Sequence, residues 1–185
     1  MRGDMMERMI AYHCAPALAG IKPSNVLTCY KSKTKNILGK IEKFNKELNR
    51  KGIYAQILYE CEKKVLVMVY RRGVFEKNLR NEKVRKFLFH MGYPYDAEAE
   101  EYLDILKKRM KNGEIHHEIG AFLGYPICDV AGFINNKGRG YLISGEWKVY
   151  ENAEAAKKLF HRFEACRCAL CNKIDGGKSL SEIFV

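Results

Sequence analysis

Val65 to Tyr70 reads VLVMVY, six apolar residues without a break, and no other run limits the fold as tightly. A strand with apolar side chains on both sides of its pleat has to be covered on both faces, so this run is expected at the centre of a sheet. The residues before it, Ile53 to Cys61, alternate, with Ile53, Ala55, Ile57, Tyr59 and Cys61 on one face. Glu62-Lys63-Lys64 then joins the two segments as an antiparallel hairpin. Upstream, Val26 to Tyr30 is a further strand pattern. Ile37, Ile41, Phe44 and Leu48 recur on one face of an amphipathic helix that Ser32 or Thr34 can cap and that ends near Gly52. Together these segments predict a β-α-β-β unit.

Helical periodicity dominates the rest. Met5 to Tyr12 forms a short helix pattern with Met6, Met9 and Ile10 inward, and Pro16 biases Ala15 away from helix. After the hairpin, Leu79, Val84, Phe87, Leu88 and Met91 make one stripe, stopped by Gly92-Tyr93-Pro94. Ala99, Tyr102, Leu103, Leu106 and Met110 make the next, ended by Gly113, with acids first and bases last as the helix dipole favours. Ile115, Ile119, Phe122 and Leu123 follow, then a Gly124-Tyr125-Pro126 corner and a short helix from Asp129 to Ile134. Tyr141 to Ile143 and Trp147 to Tyr150 predict a second hairpin, and Ala156, Leu159, Phe160 and Phe163 a last helix. The fold class is therefore α/β (α+β): a small, mainly antiparallel sheet of about five strands covered by five to seven helices. A single domain is expected over residues 1–165, followed by a cysteine-containing tail, 166–185.

Composition narrows the functional classes. An apolar content of 47% with 30% charged residues suits a globular chain and not a disordered one. No apolar run reaches the length of a membrane span, and the first residues lack a secretory layout, so a cytoplasmic location is expected. Seven cysteines, an odd count, fit reduced thiols better than a disulfide framework. The net charge of +11 favours polyanionic partners. Residues 31–51 carry eight bases against two acids and residues 71–86 seven against two, whereas residues 96–104 hold five acids and no base.

Three groups of residues are chemical candidates. Small residues (Ala15, Ala17, Ala19, Gly20) surround Cys14, and a charged His13 beside it can lower the thiol pKa. Thiol chemistry at His13 and Cys14 is thus the catalytic candidate, against a reading of Cys14 as a packed core thiol. Cys166, Cys168 and Cys171, with His161 five residues earlier, have metal-like spacing for zinc or iron. A redox dithiol or an incidental tail are the alternatives there. The densest run of special residues is Glu114 to Lys137, where His116 and His117 point about 100° apart on a helix and so cannot readily share an ion. Gly138-Arg139-Gly140 and Gly176-Gly177-Lys178-Ser179 lack the remaining parts of a phosphate loop.

Three motifs carry a resemblance. They are His13-Cys14-Ala15-Pro16-x-Leu18-Ala19-Gly20-x-Lys22; Glu118-Ile119-Gly120-x-Phe122-Leu123-Gly124-Tyr125-Pro126-x-x-Asp129-Val130-x-Gly132-Phe133-Ile134; and Gly145-x-Trp147-x-Val149-Tyr150. Over about residues 9–165 the chain resembles the bacterial family called domain of unknown function 3793. The resemblance implies a small cytosolic protein of anaerobic bacteria whose genes neighbour flavodoxin and iron-handling genes, and it implies no activity. The expected function is an accessory protein of redox or iron physiology that binds a cofactor, a metal or an acidic electron-carrier protein such as a flavodoxin. Its site would join the His13–Lys22 loop to the Glu118–Gly132 corner, with Lys22, Glu118, Gly124, Tyr125 and Asp129 facing the ligand. A nucleic-acid-binding module using the basic helices, and a structural or adaptor protein without catalysis, are the alternatives.

Overall fold

The computed structural model describes residues 5–114 and 116–184. Its centre is β3 (Lys64–Arg71), paired antiparallel with β1 (Ser24–Tyr30) on one side and β2 (Ile53–Glu60) on the other, in the order β1-β3-β2. The pleat of β3 divides the molecule. Val65, Val67 and Val69 enter one core with α1 (Met5–Leu18), α2 (Ile37–Leu48) and the end of α8 (Ala153–Asp175). Met68 and Tyr70 enter a second core under α3 (Arg72–Leu79), α4 (Glu82–His90), α5 (Ala99–Arg109) and α6 (Ile119–Phe122). An unbroken apolar strand needs this arrangement, because both of its faces must leave water.

The second hairpin, β4 (Ile143–Ser144) and β5 (Lys148–Val149), does not extend the main sheet. It forms a separate two-stranded sheet, whose Trp147 and Val149 pack with Ala156 and Phe163 of α8 in a third apolar cluster. The expected five-stranded sheet is thus two sheets of three and two strands. Nine α-helices are present among the described residues, more than the five to seven expected. One extra helix arises where the 72–91 stretch breaks at Arg80; Asn81 then starts α4 by accepting from the N–H groups of Lys83 and Val84. Another is α9 (Leu180–Ile183), closed by a capping box between Ser179 and Glu182.

Several local expectations are corrected. The expected face of β2 switches at a β-bulge between Ile57 and Tyr59, so Leu58 is the buried residue there. The cap of α2 is Asn36, held at φ 51° and accepting from Gly39 N–H; Thr34 is buried beside Met9 instead. Ile115 lies outside the described residues, and the helix expected around it is limited to Ile119–Phe122. Of the tail expected over 166–185, the described residues, 166–184, do not stand apart. The helix that starts at Ala153 runs through them to Asp175, and Leu170, Ile174 and Leu180 join the core against α1.

Candidate ligand-binding site

The site begins with a proline. α1 continues to Leu18 and contains Pro16, contrary to the loop expected there. A proline inside a helix has no N–H for the carbonyl four residues back, here that of Tyr12. That carbonyl accepts instead from Arg167 Nε at 2.9 Å, across the groove to α8. One residue on, the Ala17 N–H donates to Asn25 Oδ1 at 3.2 Å. The two backbone groups beside Pro16 are thereby served by Arg167 and Asn25. Both side chains are held at the mouth of the turn that follows.

That turn carries Lys22. Gly20, at φ 73°, ends α1 in the left-handed conformation, and the N–H groups of Ile21 and Lys22 both donate to Pro16 O, at 2.9 and 3.1 Å. The Lys22 side chain is directed inward and is only 3% exposed. Its Nζ lies 4.7 Å from the ring centre of Tyr125 and 5.8 Å from that of Phe163. Among the described residues no carboxylate lies within ion-pair distance of it. A cavity of about 310 Å³ opens beside it, lined by Tyr12, His13, Asn25, Tyr125, Glu146 and Arg167 as well as Lys22.

The opposite wall is the Gly124-Tyr125 corner. Gly124 has φ 74°, and a Cβ there would lie 2.5 Å from the Cδ and Cγ of Pro23. The Pro23 ring thus packs directly on the Gly124 backbone, between the two segments that carry Lys22 and Tyr125. Ser24 reinforces the joint by donating to Phe122 O at 2.9 Å. The Tyr125 ring also stacks on Trp147, with centroids 4.8 Å apart, and its hydroxyl donates to Glu146 O at 3.2 Å. Asp129 fixes the hairpin behind this stack. Its Oδ2 accepts from Trp147 Nε1 at 2.7 Å, and its Oδ1 from the N–H groups of Tyr150 and Glu151. Both oxygens are occupied by the fold, so Asp129 positions the site and offers little to a ligand.

Both carboxylates near the cavity are bonded to Arg167: Glu146 at 2.8 Å, and Glu164 on its other side. Lys22 feels Glu146 only at a distance and, among the described residues, has no carboxylate bonded to it. Burial depresses its pKa to about 8, with Arg167 adding in the same direction against the opposing pull of Glu146 and Cys14. Burial, then Arg167, likewise lowers the pKa of His13. The hydroxyl of Tyr125 is raised to about 12 by burial and by Glu146.

The other sequence candidates fall elsewhere. Cys14 is 0% exposed in the core, and burial pushes its thiol pKa up, the opposite of what a nucleophilic thiolate needs. Glu118 is buried in a different network: Arg109 Nη1 donates to it at 3.0 Å and the Tyr93 hydroxyl at 3.4 Å, with His116 nearby. It braces α5 against the corner. His117 lines a second, more apolar cavity of about 280 Å³ together with Phe133, Trp147 and Tyr125. His161, Cys166, Cys168 and Cys171 lie on the single helix α8. Successive residues there turn by about 100°, so Cys166 and Cys168 diverge. Cys166 Sγ donates to Ala15 O and Cys168 Sγ to Glu164. Among the described residues no three His, Cys, Asp or Glu side chains are grouped to hold a metal ion.

Cysteine reactivity is predicted to follow this geometry. The backbone N–H groups of Lys63 and Lys64 hydrogen-bond to Cys61 and hold its thiol below the ordinary range, at the exposed hairpin turn. A time course of alkylation of the native protein at neutral pH, read by peptide mass spectrometry, should label Cys61 well before Cys14 or Cys29. Labelling of Cys14 at the rate of Cys61 would show that the core opens there.

Sequence reasoning paired Lys22 with the Tyr125 corner but missed Asn25, Glu146 and Arg167. A signal for Arg167 existed: Pro16, if helical, orphans the Tyr12 carbonyl and requires a donor from another element. What these features define is a single-domain α+β protein with a polar cavity built where three segments meet. The chain belongs to the family described as Protein of unknown function (DUF3793), whose family model matches residues 10–184. The match includes the cysteine-bearing end of α8, where the motif resemblance had stopped. No curated protein and no solved structure matches significantly. Among the described residues, no helix is long and apolar enough to cross a membrane.

Proposed function

We propose that this is a ligand-binding protein whose site is the Lys22 cavity and whose ligand is a small anion carrying a carboxylate or phosphate group. The observation that carries this reading is a lysine only 3% exposed, lining a cavity, with no carboxylate bonded to it among the described residues. An ion buried without a counter-charge costs several kcal/mol. An anionic ligand supplies that counter-charge. Asn25 adds amide donors, since its Oδ1 is committed to Ala17, and Arg167 has two of the five guanidinium N–H groups beyond its three hydrogen bonds. A volume of about 310 Å³ suits a metabolite-sized ligand.

The test is thermal unfolding with millimolar pyruvate or inorganic phosphate, the two probes separating carboxylate from phosphate preference. One of them should raise the wild-type midpoint and leave a Lys22→Met variant unmoved. No shift with either anion removes the reading.

A second reading, docking of an acidic protein such as a flavodoxin within redox or iron physiology, is favoured by α2. Its buried stripe of Ile37, Ile41, Phe44 and Leu48 leaves Lys43 and Lys46 on the exposed side. Complementary charge chiefly raises association rates. Reversal of both lysines to Glu should slow association with a flavodoxin about tenfold or more at low salt. An unchanged rate dismisses docking through this face.

A further inference from the structure

The cavity around Lys22 has the makings of a covalent site. Its only lysine is desolvated, ringed by Tyr125 and Phe163, and set near the guanidinium of Arg167. An amine that serves only as a counter-ion gains from staying protonated, and an arginine would do that better. A site built for amine chemistry needs the reverse, a lysine that gives up its proton near neutral pH through burial and a neighbouring cation. Burial is the dominant cause here, and Arg167 adds a smaller one against the opposing pull of Glu146.

We infer that Lys22 is the amine of a carbonyl-binding site: a small 2-oxo acid seats its carboxylate against Asn25 and the remaining Arg167 N–H groups and forms an imine with Lys22 Nζ. This rests on the reading of the cavity as an anion site. Nζ attacks the ketone carbon, a C–N bond forms, and the C=O π pair moves to oxygen. The oxygen then departs as water with the two hydrogens of the amine, and no electrons are exchanged with any other group. Protonated, the imine restores the positive charge that faces the carboxylate. His13 lines the same cavity, and its imidazole is the group assigned to carry the proton between nitrogen and oxygen. With its pKa near 8, roughly a tenth of Lys22 is free amine at pH 7, two to three orders of magnitude more than for an ordinary lysine.

The experiment treats the full-length protein with pyruvate and cyanoborohydride, which reduces an imine to a stable secondary amine, and maps the adduct by peptide mass spectrometry. The expected result is one adduct, on Lys22, formed at least tenfold faster than on any other lysine, faster at pH 8 than at pH 6.5, and suppressed by excess acetate, a carboxylate without the ketone. A Lys22→Arg variant should give no such adduct while still showing the thermal shift with pyruvate. Adducts spread evenly over surface lysines, or none at Lys22, overturn the imine. If pyruvate or phosphate still raises the midpoint in that case, the anion site stands without covalent chemistry. If neither does, both readings fall together.

Discussion

Lys22→Met should stabilise the folded protein by about 2–3 kcal/mol at pH 7. The expectation comes from the depressed lysine pKa, about 8 in the folded state against an ordinary 10.5. Each pKa unit corresponds to about 1.4 kcal/mol between the two protonation states. Because the unfolded chain holds this proton more tightly than the folded protein, the cost of burying it is fully present below about pH 8. It is relieved between pH 8 and the ordinary lysine value, where the folded protein has given up a proton that the unfolded chain still holds. Loss of the ammonium over the Tyr125 ring offsets part of the gain. Urea unfolding of both proteins at pH 7 and near pH 10 checks this. The variant should lead at pH 7 by a margin that shrinks at the higher pH, with the denaturant slope unchanged. Equal midpoints at pH 7 would mean that the ammonium is already compensated in the unliganded protein.

Gly124→Ala acts in the opposite direction. At φ 74° a Cβ is strained by about 1–2 kcal/mol. A Cβ placed 2.5 Å from Pro23 Cδ and Cγ must also push that ring away, an overpacking cost of about 1–3 kcal/mol. Together the loss is about 2–5 kcal/mol, or on the order of 10 °C in the unfolding midpoint. Gly140→Ala supplies the comparison, because Gly140 has a similar φ of 69° with nothing within 4 Å of its Cβ position. Its loss should be about 1–2 kcal/mol, from backbone conformation alone. If the two variants lose the same amount, the Pro23 contact is soft and does not set the spacing of the cavity walls. If Gly124→Ala loses more and also weakens anion binding, the Pro23–Gly124 contact positions Lys22 against Tyr125.

The limits of sequence reading are visible in particular residues. The central strand announced itself because six consecutive apolar residues have only one way to escape water on both faces. The periodicity of α2 was equally legible. The bulge at Ile57–Tyr59 was not, since both Leu58 and Tyr59 are apolar enough to face inward and only pairing with β3 decides between them. The continuity of α8 was masked by its cysteines. Ala156, Phe163, Leu170 and Ile174 recur at helical spacing straight through the supposed boundary, but a cluster of thiols drew the reading toward a metal site.

The candidate site divides in the same way. Local sequence marked His13 to Lys22 and Gly124 to Asp129 as unusual, because prolines and glycines restrict or free the backbone whatever surrounds them. It could not separate Lys22, which faces the cavity, from Cys14, Glu118 and Asp129, which are spent on packing, an ion pair and backbone hydrogen bonds. Those roles depend on partners roughly 10 to 150 residues away, and hydrogen bonds and burial are properties of such pairs. Periodicity and backbone preference over a few residues are enough for the central strand, the amphipathic helices and the corners, and composition is enough for the positive charge. That Arg167 answers the proline in α1, and that Glu146 pairs with Arg167, emerges only when distant segments pack together. Lys22 remains a buried charge with no carboxylate bonded to it among the described residues, because desolvation and pairing are set by which distant surfaces the cores bring together.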